Sequence, residues 1–186
     1  MQLLGYERNI LDAIINDNLL VLSGKGIGLG NVQCMFLIQT IKASNKPIFI
    51  LNTPRIEIEL LSKKLRQASV TKEGKSNMGY IYIDDSLRGG PDLKSCSSRV
   101  IVHDITSDTT SLQRRNIYQQ GGVIFATSRI LVVDLLNNIL NPTQIQGMVI
   151  NCAHKITAKS PEAFILRLYR LENQRGFGRE EDWISD

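Results

Sequence analysis

A chain of 186 residues with 42% hydrophobic content can bury one sizeable core and fits one domain better than two. Its apolar runs stop well short of the roughly 18 residues that cross a bilayer, and Glu7 and Arg8 fall where a signal peptide would be apolar, so a soluble intracellular protein with no membrane partner is expected. Cys34, Cys96 and Cys152 stand far apart and His103 and His154 give no zinc spacing, while the net charge of +4 suits an anionic partner such as nucleic acid, as it does many basic proteins that have none.

In chain order, Tyr6 to Asn16 reads as a helix, Leu19 to Ser23 as a strand, Asn31 to Lys42 as a helix and Lys46 to Asn52 as a second strand. Arg55 to Gln67 follows as a helix, with Ile58, Leu61 and Leu65 at helical spacing and lysines between them. From Thr71 to Ser98 the composition turns to Gly, Ser, Lys and Asp, which predicts a loop or insertion, with Tyr80 to Ile83 as a short strand inside it. Order returns with Val100 to His103, a polar helix follows up to Tyr118, and Gly122 to Ala126 reads as a buried strand. A helix begins near Ser128, Asn141 and Pro142 make a turn, and Met148 to Asn151 is the next strand. The last helix opens at Ser160-Pro161-Glu162, a cap, a first-position proline and an acid that suits the helix dipole. It is expected to bury Phe164, Ile165, Leu168 and Leu171 and to turn Arg167 and Arg170 outward. Val- and Ile-rich strands alternating with helices predict an α/β fold, a parallel sheet flanked by helices.

The stretch LVLSGKGIGLGN at 20–31 has the outline of a phosphate-binding loop without its chemistry. Such a loop needs glycines so that backbone N–H groups face the phosphates, a lysine for the β and γ phosphates, and a hydroxyl for magnesium. Setting Gly26 and Gly28 on the glycines of a helicase-type GxGKT places Leu29 at the lysine and Gly30 at the hydroxyl, and Lys25 comes too early to substitute simply. A dinucleotide GxGxxG fails at Leu29. MVINCAHKI at 148–156 has the form of a strand followed by a DEAH box in which Asn151 and Cys152 replace the two acids, while Ala153 and His154 remain. An amide is a far weaker magnesium ligand than a carboxylate, and a thiol is a poor base for water here. Each match alone is short; together, in this chain order, they point to a relic ATP site.

QGGVIFATSRILVVDLL at 120–136 and EAFILRLYRLENQRGF at 162–177 closely resemble the XPF family of DNA repair endonucleases, as do the opening YERNILDAIINDNLLVL and the strand FILNT. The resemblance covers most of the chain and leaves out 71–98 and a divergent tail at 178–186. It implies a RecA-like first lobe of a superfamily-two helicase-like module, spanning 1–177, in a family that cuts junction DNA in excision repair, crosslink repair and recombination. It also implies a nuclear location, junction DNA and repair scaffold proteins as partners, and a smaller nuclease subunit bound through a C-terminal region outside this chain. The family's nuclease carries a GDxnERKxxxD metal site using a divalent ion such as magnesium; no such sequence occurs here, so no cofactor and no cleavage are expected of this chain alone.

Helicase-like lobes touch the phosphate backbone through loops at strand ends. The candidate contacts are Thr53 and Arg55 after the second strand and Thr127 and Arg129 after GVIFA, with Arg114 and Arg115 adding to a basic face. The competing reading is that these threonines only cap helices and these arginines are merely solvated. Two other functions stay open: an ATP-binding module using Lys25 with Asp104 or Asp134, and a protein-docking adaptor from a truncated paralogue, to which the tail GREEDWISD is pertinent.

Overall fold

The computed structural model describes residues 3–16, 21, 29–43, 46–70 and 100–172. The elements are α1 (Gly5–Asn16), α2 (Gly30–Ala43), β1 (Pro47–Leu51), α3 (Arg55–Val70), β2 (Val102–Asp104), α4 (Ser111–Gln120), β3 (Gly122–Phe125), α5 (Ser128–Leu136), β4 (Gly147–Ile150) and α6 (Pro161–Glu172), with 3₁₀ turns at Pro142–Gln144 and Ala153–Lys155. The expected strand at 19–23, apart from Val21, lies outside the described residues, as do the expected insertion at 71–98 with its strand at 80–83 and the tail at 178–186.

The four strands form one parallel sheet in the order β2-β3-β1-β4. Every residue of PIFIL and of GVIF is buried, because helices cover both faces and alternation between wet and dry sides has no place. The two-residue period of a strand sorts these side chains between two cores. Ile48, Ile50, Val123 and Phe125 face one way and pack with Leu11, Leu37, Leu61 and Leu65 of α1, α2 and α3. Phe49, Leu51 and Ile124 face the other way and pack with Tyr118, Leu131, Leu135, Ile165 and Tyr169 of α4, α5 and α6. The result is a three-layer helix–sheet–helix sandwich.

The pair Gly121-Gly122 lets α4 pass straight into β3. Gly122 has φ +90, and a Cβ there would lie 2.5 Å from the Ile101 carbonyl oxygen, so a side chain would push β3 off its neighbour. Strand boundaries differ from the sequence reading by a residue or two, as element ends commonly do.

One expectation holds only in part on α6. Ile165 is buried and Leu168 half-buried against the core as expected, but Phe164 and Leu171 are 38% and 77% exposed, and Ala163 and Tyr169 are buried instead. The buried stripe is set by Tyr169, whose ring enters the core and whose hydroxyl donates to the Gln146 carbonyl at 3.3 Å. That leaves Phe164 and Leu171 on the solvent side of the helix. Arg167 is exposed as expected, and Arg170 is half-buried instead of turned outward.

Candidate nucleic-acid interface

Because the sheet is parallel, the carboxyl ends of β1, β3 and β4 open on one edge, where ligands of open α/β sheets gather. The backbone ladders end there with Ala126 N–H to Ile50 O at 3.3 Å and Asn151 N–H to Leu51 O at 3.1 Å. Beyond them the three loops are joined by side chains. Asn52, just past β1, adopts the left-handed conformation with φ 57, which Asn tolerates better than most residues. Ser128 Oγ donates to Glu162 Oε1 at 2.6 Å and lies 3.4 Å from Asn52 Oδ1. Asn151 Nδ2 donates to Thr53 Oγ1 at 2.8 Å, and the Thr53 hydroxyl points to Leu51 O at 3.5 Å. Burial would raise the Glu162 carboxyl pKa, but hydrogen bonds from Ser128, its own backbone N–H, Ser160 and Asn52 outweigh it and hold the group below 4.5.

Of the four backbone-contact candidates on these loops, Thr127, Arg129 and Arg55 are exposed and Thr53 is half-buried. Thr127 caps α5 by accepting Ile130 N–H at 3.4 Å. A cap uses a lone pair and leaves the hydroxyl proton free, so capping and donation to an anion are compatible. Arg129 has no partner among the described residues; Arg55 has only Glu59 at 3.8 Å, with both side chains about three-quarters exposed at 75% and 73%.

Arg114 is placed differently. Its Nε and Nη2 donate to the two Asp134 carboxylate oxygens, each at 2.7 Å, its Nη1 donates to Thr109 O at 2.6 Å, and it is 13% exposed. Tyr118 Oη donates to Asp134 Oδ2 at 2.5 Å. Burial first, then the hydrogen bond to Asp134, raises the Tyr118 pKa, and the same carboxylate raises that of Arg114. Asp134 is fully buried and enclosed by these groups, so it cannot serve a nucleotide as the alternative carboxylate considered above. Asp104 ends the edge strand β2 and is exposed, as is Arg115 on α4.

At the phosphate-loop position, Lys25, Gly26 and Gly28 lie outside the described residues. Leu29 packs against the apolar core, and α2 starts at Gly30. Protein groups cluster at that helix start: buried Glu7 accepts from Leu4 N–H at 2.8 Å and Asn31 Nδ2 at 3.3 Å, and Lys64 Nζ donates to Asn31 Oδ1 at 2.8 Å. Cys152 and His154 are exposed past β4; Cys152 takes the left-handed conformation with φ 56 and makes no capping bond, and nothing in the structure explains a cysteine there. Among the described residues no group of three or more His, Cys, Asp or Glu side chains could hold a metal ion, and no helix is long and apolar enough to cross a membrane.

Comparison with solved structures gives the class. The helicase domain of Pyrococcus furiosus Hef superposes with a TM-score of 0.66 over 96% of this chain and 34% of that one, at 14% identity. A yeast DEAD-box splicing factor does so at 0.59 over 88% and 35%, also at 14% identity. The fold is therefore the RecA-like fold of helicase lobes. No family model matches the chain. Among curated proteins it is 32% identical over 178 residues to the DNA repair endonuclease XPF of Cricetulus griseus, covering 94% of this chain and 16% of that protein. It is 42% identical over 76 residues to the XPF of Drosophila melanogaster, 41% of this chain and 8% of that protein. The chain belongs to the XPF family and corresponds to its helicase-like N-terminal region. It spans about 16% of the length of the relatives matched over nearly all of it.

The sequence reading missed Glu162, which read only as a helix-dipole partner, and it placed Asn52 and Ser128 in the two candidate loops without assigning them a contact. Their partners are 34 and 76 positions away in the chain, a separation that leaves no local pattern.

Proposed function

We propose that this chain is a non-hydrolysing helicase-like module of an XPF-type structure-specific endonuclease subunit of DNA repair. It binds the phosphate backbone of branched or single-strand/duplex junction DNA and docks partner proteins in the nucleus. The lobe runs over 1–177 with 71–98 inserted. The observation that carries the reading is the pairing, on the carboxyl edge, of an exposed Thr127 with a free hydroxyl proton and an exposed Arg129, unpartnered among the described residues, at the start of α5. A helix start adds N–H groups and the positive end of a dipole, the setting that favours a phosphate.

Arg55 joins them from the neighbouring loop, since an exposed 3.8 Å pair with Glu59 holds its guanidinium only weakly. Thr53 supports the loop from within, its hydroxyl already engaged. Arg115 contributes long-range attraction, and Arg114 belongs to the fold. Against hydrolysis stand Leu29, apolar and packed where a phosphate needs a cation, and Asn151, whose amide is turned to Thr53 where a magnesium site needs a carboxylate. Protein docking rests on the family alone, since the exposed Ile56, Leu112 and Leu171 lie on three different helices, on opposite faces of the sheet.

The test is binding of the purified chain to a splayed-arm DNA at several salt concentrations, with ATP titrated in parallel by calorimetry. The reading expects salt-sensitive DNA binding and no ATP heat. Magnesium-dependent ATP binding lost in Lys25→Ala would replace it with the nucleotide-binding alternative; no DNA binding would leave only the docking role.

A further inference from the structure

We propose that Glu162, with Asn151 as a second anchor, is a positioning residue for the two loops that face DNA; this rests on the function proposed above. Once the backbone ladders end at Ile50 and Leu51, no strand hydrogen bond among the described residues fixes the Thr127–Arg129 turn relative to Asn52–Arg55. The short Ser128–Glu162 hydrogen bond, 2.6 Å, ties the turn to the first turn of α6, and Ser128 stands between the two residues that face solvent. A hydroxyl bound to an ionised carboxylate is among the stronger side-chain bonds, and Ser128 is itself only 7% exposed. Asn52, close to both groups, extends the tie to the β1 loop, and Asn151 fixes that loop from β4 through Thr53. The edge is thus braced from α6 and from the end of β4, by side chains of Glu162 and Asn151 that are half-buried.

Charge and positioning predict opposite signs for the same substitution. A carboxylate near a phosphate path repels it, so on charge alone Glu162→Ala should tighten DNA binding. Positioning predicts the reverse. Fluorescence anisotropy of the full chain with a labelled splayed-arm DNA should show Glu162→Ala, Ser128→Ala and Asn151→Ala each weakening binding roughly 3- to 10-fold, the range one well-placed hydrogen bond supplies. Glu162→Gln keeps an acceptor for Ser128 while removing the charge, and should recover most of the loss. In an Arg129→Ala background the further effect of Glu162→Ala should shrink to below about twofold, since the two act through one turn. A general loss of stability would weaken both backgrounds alike, and thermal unfolding of each variant checks for it. Unchanged or tighter binding by Glu162→Ala and Ser128→Ala, with Arg129→Ala weakened, overturns the positioning role and leaves the DNA reading standing. An Arg129→Ala variant that binds like the unmodified chain removes the DNA reading of this turn, and the positioning role with it.

Discussion

Two turns of this molecule are built alike and end differently. Each follows a strand of the sheet, each starts a helix on a threonine cap, and each carries an arginine in the helix: Thr110 and Arg114 before and in α4, Thr127 and Arg129 before and in α5. In the first, the threonine is closed on itself, because Gln113 accepts from both its backbone N–H at 2.9 Å and its hydroxyl at 3.0 Å. The arginine, a turn deeper, forks onto buried Asp134. In the second, the threonine keeps a proton to give, and the arginine sits in the first turn with nothing to bind within the described residues. The difference lies in what the helix flank offers: a buried carboxylate draws an arginine inward, and without one the charge stays in water.

Breaking the closed turn should have the largest effect. Arg114→Ala leaves the Asp134 carboxylate buried with Tyr118 as its remaining side-chain donor among the described residues, and removing one partner of such a pair costs about 3–5 kcal/mol. Urea unfolding followed by circular dichroism would measure it; a loss below about 1 kcal/mol would mean the pair adds little to the fold.

Thr127→Ala should fall between the extremes, losing about 1 kcal/mol through the cap and also weakening DNA binding, since one hydroxyl serves both purposes. If stability drops and affinity does not, the hydroxyl proton has no anionic partner. Arg129→Ala, the counterpart of Arg114→Ala, should change stability by no more than about 0.5 kcal/mol, as exposed substitutions do. A substantial drop in stability there would erase the contrast between the two turns.

The smallest effect concerns pH. The folded-state pKa of Glu162 lies below its ordinary 4.5, so the stability it brings is fully present above that value and is lost as pH falls through the lower, folded one. Acid titration of Glu162→Gln should show a shallower decline below pH 4.5 than the unmodified chain. An identical decline would mean that Ser128 and Asn52 do not favour the ionised form.

The sequence carried the frame well and the partnerships poorly. Continuous runs such as PIFIL and GVIF announce strands covered on both faces. Candidate loops after β1 and β3 were legible because a parallel sheet brings its strand ends to one edge, whatever the residues between. Arg114 and Arg115 looked equivalent because adjacent charges on a polar helix carry no mark of which one meets Asp134, 20 positions on. Tyr169 was passed over for the leucines around it, although a tyrosine with an acceptor in reach can take the core position and turn Leu171 into solvent. Both failures concern side chains whose place is decided by a partner distant in sequence.

Whether the open turn meets the phosphate backbone is tested most directly by the salt dependence of DNA affinity in the unmodified chain and in Arg129→Ala. Each phosphate that the protein no longer neutralises should flatten the plot of log affinity against log salt by about 0.7–0.9, the range from single strand to duplex. If Arg129 pairs with a phosphate, Arg129→Ala binds more weakly and its slope is shallower by about that amount. Equal affinity and equal slope in the two proteins would contradict a phosphate-binding turn.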